Sequence, residues 1–512
     1  MAKGEPRAKG RSLSQGEIEE ILDEIDQALL AGKVDQLKPL SQRLMPSIGQ
    51  VPELVTRRLI DGRTGVPAYW FDFLEATTGR QALKHLRRIA EDPAAADIVR
   101  FGARRRAGWP QRGAAKRRQA FLATLKDAES TLVAAADQAT WSWPADGNIL
   151  EEVLGYLAVI SPERRLAVAR RVGETLGGRA TWLLRGVLHI PDPPTQRLAL
   201  DWLVRLRDPG AAGPVARLAK TAKDGQVKSE AAAAAQRLRL RAVGGKPPEP
   251  QTLPGIDRAL LSAIDSDGGQ VVLIVRKHDE HTRMVTNILL DDQCGIMGAM
   301  GLSRCVPEQV AGEVDELVNG GVPMVEVDLA AARWVLEQSV EINGATGHAL
   351  PPEYEVWELL AHDSYPPAED EPTVVAELDD TPYRRRADLV KASGQLVDHP
   401  FFRIWTLPPE QTAAAMLRTP PPLGPDLGDR QYRRMIQELV DEPMLAGLRQ
   451  RLRHQAWLLE RSGDMAARDM ALAVAAQLAE GKASELGKQP FLRGLVNRSL
   501  FVGLLGFADL GL

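Results

Sequence analysis

Cysteine is almost missing from this chain of 512 residues, which has only Cys294 and Cys305. Two thiols cannot build a disulfide framework or a four-thiolate zinc site, and so few suit a reducing, cytoplasmic setting. Long apolar runs are missing as well. The longest, SLFVGLLGFADLGL at the C-terminus, is interrupted by Asp509. It is shorter than the ~20 residues a spanning helix needs, so it reads as a last amphipathic segment packed on the final helices, and no membrane partner is expected. The N-terminal MAKGEPRAKGRSLSQGE is basic with no apolar run behind it, which excludes a secretory signal. Also absent are a GxxxxGK phosphate loop, a GxGxxG after a strand, a GxSxG elbow and an HExxH helix. No cofactor and no resident metal are expected.

What remains is the balance of a soluble globular protein, with 44% hydrophobic and 26% charged residues. The length allows two to four domains. A net charge of -4 means that any basic surface must be local.

The first half reads as helical. Ser14 and Glu17 have capping-box spacing, Ile18, Ile21, Leu22, Ile25 and Leu29 form one apolar stripe, and Gly32 closes the helix. Prolines and Asp-Pro or Trp-Pro steps then recur at intervals of one helix or one helix pair, with no strand-like alternation up to about residue 242. The most regular stretch runs from Thr195 to Leu240. An apolar helix ends at Asp208-Pro209, a short helix follows, and a second amphipathic helix opens at Val227-Lys228. Leu86 to Arg100 is a fainter copy around Asp92-Pro93.

That turn and the Val-basic start of the second helix resemble HEAT or armadillo-type repeats. The resemblance covers only the N-terminal half. It implies stacked two-helix layers, an α-solenoid over 1–243, and extended surfaces for partners rather than a catalytic cleft.

GGKPPEPQTLPG (244–255) has the Gly/Pro content of a linker, and the character then changes. GQVVLIVRK (269–277) and HTRMVTNILL (281–290) flank Asp279-Glu280 and read as a β-hairpin. A helix over 308–318, a strand over 323–329 and a helix over 330–342 complete a small α+β domain, 256–362. An acidic linker with seven acidic residues and no basic one spans 363–380. The helical pattern returns over 381–512, where Arg430 to Glu460 and Met465 to Glu480 read as a closing helix pair with Gly463 between them. The fold class is therefore mainly α with a small central α+β insert.

Candidate chemistry is sparse. His278, Asp279, Glu280 and His281 crowd the hairpin turn, whereas Asp291, Asp292 and Cys294 lie at the far end of a strand roughly 30 Å long, so one metal cannot gather both groups. Asp291-Asp292 followed by Gly295 could be a carboxylate pair of a metal-dependent enzyme, or a common turn. Gly295, Gly298 and Gly301 sit among apolar residues and indicate tight packing or a turn rather than a phosphate loop. Trp141 and Trp143, at a helix break, are candidates for an exposed aromatic pair.

The strongest binding signal is electrostatic. Arg100, Arg104, Arg105, Arg106, Arg112, Lys116, Arg117 and Arg118 fall in one stretch, 100–118, that has no acidic residue. Residues 1–118 carry 22 basic against 15 acidic side chains, so with -4 overall the remainder carries -11. This stretch could engage a nucleic-acid backbone, coat a solvent-facing helix, or pair with the acidic linker or an acidic partner. The leading expectation is a non-enzymatic interaction scaffold for a protein partner. The alternatives are a nucleic-acid-binding protein using 100–118 and a metal-dependent enzyme with its site near Asp291-Asp292. The oligomeric state is left open.

Overall fold

The computed structural model describes residues 12–108, 113–141, 147–244, 251–362, 364–365, 378–418, 429–480 and 486–509. The chain is mainly helical, with a five-stranded antiparallel sheet near its middle. It divides into two compact units: Met1–Trp141 with Glu152–Arg179, and Ser142–Glu151 with Ala180–Leu512.

The first unit is all helix among its described residues. Its opening helix, Gln15–Leu30, has the expected reciprocal cap: the Ser14 hydroxyl accepts from the Glu17 amide, and the Glu17 carboxylate accepts from the Ser14 amide. The apolar stripe is buried with Leu59, Trp70, Leu86 and Ile89 in one core. Asp26 is the polar exception in that stripe. It accepts hydrogen bonds from Trp70 Nε1 at 2.8 Å, the Gly65 amide at 3.1 Å and Arg58 Nη2 at 3.0 Å, so its burial is compensated. The Asp92-Pro93 turn joins Ala82–Glu91 to Asp97–Ala107 as a helix pair. Asp92 stabilises the turn by accepting from the Ala94 amide.

In the second unit, Pro193–Leu206 ends with Arg207 at φ 60°, and a 3-10 turn at Pro209–Ala211 leads into Ala212–Thr221. Asp224 then accepts from the Val227 amide and starts Gly225–Gly244, with Val227 fully buried. Along the sheet the strands run Gly295–Cys305, Arg283–Asp291, Gly269–Lys277, Ile256–Ser262 and Met324–Val327. The hairpin 269–291 forms with Lys277 opposite Arg283.

Two strands lay outside the sequence reading. Ile256–Ser262 carries Asp257 and Arg258 near its start, and Gly295–Cys305 is diluted by glycine, which weakens strand propensity. Gly295 nonetheless supports the tight-packing expectation. Its φ of +84°, a left-handed value that side chains resist, places its α-carbon where a Cβ would press on the Ser339 carbonyl and the Asn343 amide. Asn343 pins the start of that strand, accepting from the Ile296 amide at 2.8 Å and donating to Cys294 O at 2.9 Å.

One sheet face packs on the helix Leu329–Thr346. The other gathers Leu260, Leu273, Val275 and Val285 with Val310 of the helix Pro307–Asn319. The helix expected over 430–460 is two helices, Asp429–Leu439 and Glu442–Arg461. Asp441 caps the second by accepting from the Met444 amide, and Pro443 occupies its first turn. Gly463, at φ +84°, turns the chain into Met465–Glu480, as expected. The C-terminal apolar segment belongs to a helix, Pro490–Asp509, that buries Phe491, Leu492, Leu495, Val496 and Leu500 while Phe501 and Val502 stay exposed. No helix among the described residues is long and apolar enough to cross a membrane.

A buried charge cluster ties the helices 181–221 of this unit to its segment 354–362. Arg217 donates to Glu355 and Glu358, Arg185 reaches both carboxylates at 3.4 Å, and His189 meets Glu355 at 2.9 Å. His362 meets Glu358 at 3.2 Å. Burial is the largest single influence and would raise both carboxyl groups, but Arg217 together with His189 and Arg185 at Glu355, and with His362 at Glu358, outweighs it and holds Glu355 well below the usual carboxylate range and Glu358 at about 2.

Candidate functional site

A cleft of about 260 Å³ lies in the second unit, where the turn between the strands Ile256–Ser262 and Gly269–Lys277 meets the helices Leu329–Thr346 and Glu442–Arg461. The turn is placed by its backbone and by two C-terminal side chains. Gly268 takes φ +101°, and a Cβ there would collide with the Asp292 carboxylate. Ile264 O accepts from Trp405 Nε1 at 2.8 Å and from Gln455 Nε2 at 3.1 Å.

Arg451 closes one side. Its Nε and Nη2 donate to the two Asp292 oxygens at 2.6 and 2.9 Å, and it also donates to the carbonyls of Ser266 and Asp267. Arg453 Nε donates to Leu378 O at 3.0 Å. With Asp291 and Asp292 offset by Arg451 and Arg453, the formal charge of the lining sums to zero once His454 is neutral.

His454 is neutral for two reasons. Burial pushes its imidazole down to about 4. Its hydrogen bonding agrees: the Gln270 amide nitrogen donates to Ser262 O at 2.8 Å, which fixes the orientation of that amide. The same nitrogen lies 2.9 Å from His454 Nε2, so that ring nitrogen accepts and the ring proton sits on Nδ1. Among the described residues neither His454 Nδ1 nor Gln270 Oε1 has a hydrogen-bond partner. Trp457 is buried beside His454 with ring centroids 5.7 Å apart, and half-buried Trp334 lines the cleft from the other helix.

The carboxylate pair read from sequence does border this cleft, but its oxygens are engaged. Asp291 Oδ1 accepts from the amides of Gln293 and Cys294, and Asp292 is held by Arg451. Among the described residues no group of three or more His, Cys, Asp or Glu is placed to hold a metal. The turn cluster stays apart: Asp279 caps its own turn by accepting from the amides of His281 and Thr282, and His278 accepts from Arg304. Burial raises both thiols, Cys305 to about 11. Trp143 and the side chain of Trp141 lie outside the described residues, as does most of the acidic linker.

The basic stretch is not one surface. Arg100 is buried, with its guanidinium donating to Ala90 O, Thr124 O and Thr124 Oγ1. Arg106 bridges Asp72 and Glu75 and lies over the Phe71 ring. Arg118 pairs with Glu152. Arg104 and Arg105 are half-buried, Lys116 and Arg117 are exposed, and Arg112 lies outside the described residues. The sequence signalled the stretch by charge alone, which does not distinguish an arginine that faces water from one that ties two helices together. What it did not single out is the His454–Gln270–Trp334 set, because those residues meet only through tertiary packing.

No family model, curated protein or solved structure matches the chain.

Proposed function

We propose that this chain is a non-enzymatic interaction scaffold whose sheet presents an apolar border to a protein partner. The observation that carries the reading is the outer strand Gly295–Cys305. Its Met300 and Leu302 are 42% and 44% exposed, and Leu289 on the neighbouring strand is 38% exposed. Leu302 lies opposite Val285 and Met300 opposite Asn287, so these side chains share the face on which the helix Pro307–Asn319 packs, beyond the cluster around Val310. A sheet border with exposed apolar side chains invites association unless a partner covers it.

In the same reading the helix pairs 82–107 and 212–244 are HEAT- or armadillo-like layers that supply surface rather than chemistry. The two unpaired thiols suit a reducing cytoplasm. The two carboxylates at the cleft are engaged, Asp292 by Arg451 and Asp291 by the amides of Gln293 and Cys294, which favours binding over turnover.

Immobilised full-length chain should retain a defined partner through ~0.5 M salt, because buried apolar anchors are little screened. Met300→Glu with Leu302→Glu should lose that partner at an unchanged melting temperature. Retention by the double variant, or complete elution by the salt, overturns the proposal.

A further inference from the structure

The two helices beside the cleft repeat one arrangement. On Leu329–Thr346, Trp334 and Gln338 stand one turn apart, and on Glu442–Arg461, Gln450 and His454 do the same, so each pair shares a helix face. Both pairs line the cleft, together with Gln270 from the strand Gly269–Lys277 and Trp457. The volume, about 260 Å³, is close to the lower end of the ~300–1,000 Å³ of small-molecule sites, so the occupant is small. Such a site does something that an apolar sheet border cannot.

Unanswered polar groups come from several sides. His454 Nε2 faces the Gln270 amide, so the Nδ1–H of that ring is directed away from Gln270, and Gln270 Oε1 must be answered separately. The carboxamides of Gln338 and Gln450 and the N–H groups of both indoles also lack a hydrogen-bond partner among the described residues. An occupant with all its polar atoms on one edge would serve one of these groups and leave the others unpaired. Hydroxyls distributed around a ring, each able to donate and to accept, serve groups on several sides. The formal charge of the lining sums to zero, with Arg451 held by Asp292 across a two-point contact, so a charged occupant would enter without a counter-charge from that pair.

The ring itself needs an apolar platform. Trp457 has the Arg461 guanidinium over its ring at 5.5 Å and His454 beside it at 5.7 Å. Trp334 is half-buried and has neither a ring nor a cation contact among the described residues, which leaves its indole for the occupant.

We propose that this cleft binds an uncharged pyranose sugar. The C–H face of the sugar packs on Trp334 as another apolar surface would. One hydroxyl accepts from His454 Nδ1, another donates to Gln270 Oε1, and the Gln338 and Gln450 carboxamides exchange hydrogen bonds with the rest. A polar site of this kind discriminates strongly, because a ring without those hydroxyls leaves the site's buried donors and acceptors unpaired.

The test uses the full chain with the methyl glycosides of glucose, galactose, mannose and N-acetylglucosamine as probes. Glucuronate is the charged analogue, and cyclohexanol is a ring of similar size with a single hydroxyl. Binding is followed by saturation-transfer NMR and tryptophan fluorescence at about 10 mM, which detects millimolar dissociation constants. At least one glycoside should give saturation transfer and shift the tryptophan emission, with glucuronate and cyclohexanol weaker by about tenfold or more. His454→Phe should weaken that glycoside about tenfold. Trp334→Ala, at a half-buried position, should do the same at an unchanged melting temperature, and it carries the test if the His454 variant fails to fold. No transfer from any of the four glycosides, glucuronate or cyclohexanol binding as tightly as the best of them, or full binding by Trp334→Ala would each overturn the assignment.

Discussion

Arg217 holds Glu355 by two parallel hydrogen bonds, Nε to Oε1 at 2.9 Å and Nη2 to Oε2 at 2.6 Å, with the Glu355 carboxylate fully shielded from water. The pair shares its surroundings with Arg185, His189 and Glu358. Removing one member leaves charges that nothing balances, whereas removing a matched pair does not. Glu355→Ala should therefore lower unfolding free energy by about 3–5 kcal/mol. Adding Arg217→Met should restore part of the loss. Urea titration of both variants measures this, and purely additive losses would show that the two side chains are not coupled.

The same cluster sets an acid limit. Glu358 titrates at about 2 in the folded chain against an ordinary 4.5, so the folded state binds its proton less readily than the unfolded chain. That stabilisation is complete above 4.5 and disappears as pH falls toward 2. Glu358→Gln should flatten the stability profile over that acid range, as read from urea midpoints at successive pH values.

His454 acts in a higher window. Its imidazole titrates at about 4 when folded and at 6.5 when free, so acid charges the unfolded chain first. Stability should fall as pH drops from 6.5 to 4, by up to about 3 kcal/mol from this group. His454→Phe should remove that slope while leaving the more acidic one. An unchanged slope would show that the imidazole is protonated in the folded protein.

Gly268→Ala should destabilise by about 2 kcal/mol or more, because it combines a resisted backbone angle with a clash against Asp292, the residue that holds Arg451. Trp334→Ala, at the half-exposed side of the same cleft, should cost far less. Comparing their denaturant midpoints separates backbone strain from lost surface.

Much of the helical architecture could be read from the chain. Ser14 and Glu17, Asp92-Pro93 and Asp208-Pro209 act within a few residues of themselves, and such signals survive folding unchanged. The hairpin was legible for the same reason. The strand Gly295–Cys305 was hidden, because its glycines are there for partners distant in sequence, Ser339 and Asn343 among them. The basic stretch 100–118 was visible, but its use was not. Whether Arg100 meets water or the Thr124 carbonyl depends on a helix that no local pattern announces. Asp291 and Asp292 were found and border the cleft, yet the arginine that engages Asp292 lies about 160 positions later in the chain.

Asn148 guards the exposed strand. Its amide oxygen accepts from the Ser303 amide at 2.7 Å and its amide nitrogen donates to Gly301 O, so one side chain takes the place of a neighbouring strand. Asn148→Ala should cost about 1–2 kcal/mol and free two ladder groups. Light scattering at rising concentration should then show self-association absent from the parent chain.

That amide also bears on how the chain can be divided. Asn148 belongs to the short stretch Ser142–Glu151, which joins the second unit before the backbone goes back to complete the first and leaves again at Ala180. A fragment starting at Ala180 would carry the five-stranded sheet and lack the Asn148 side chain that bonds to its outer strand. The two units are therefore interleaved in sequence, and no single cleavage yields both of them whole.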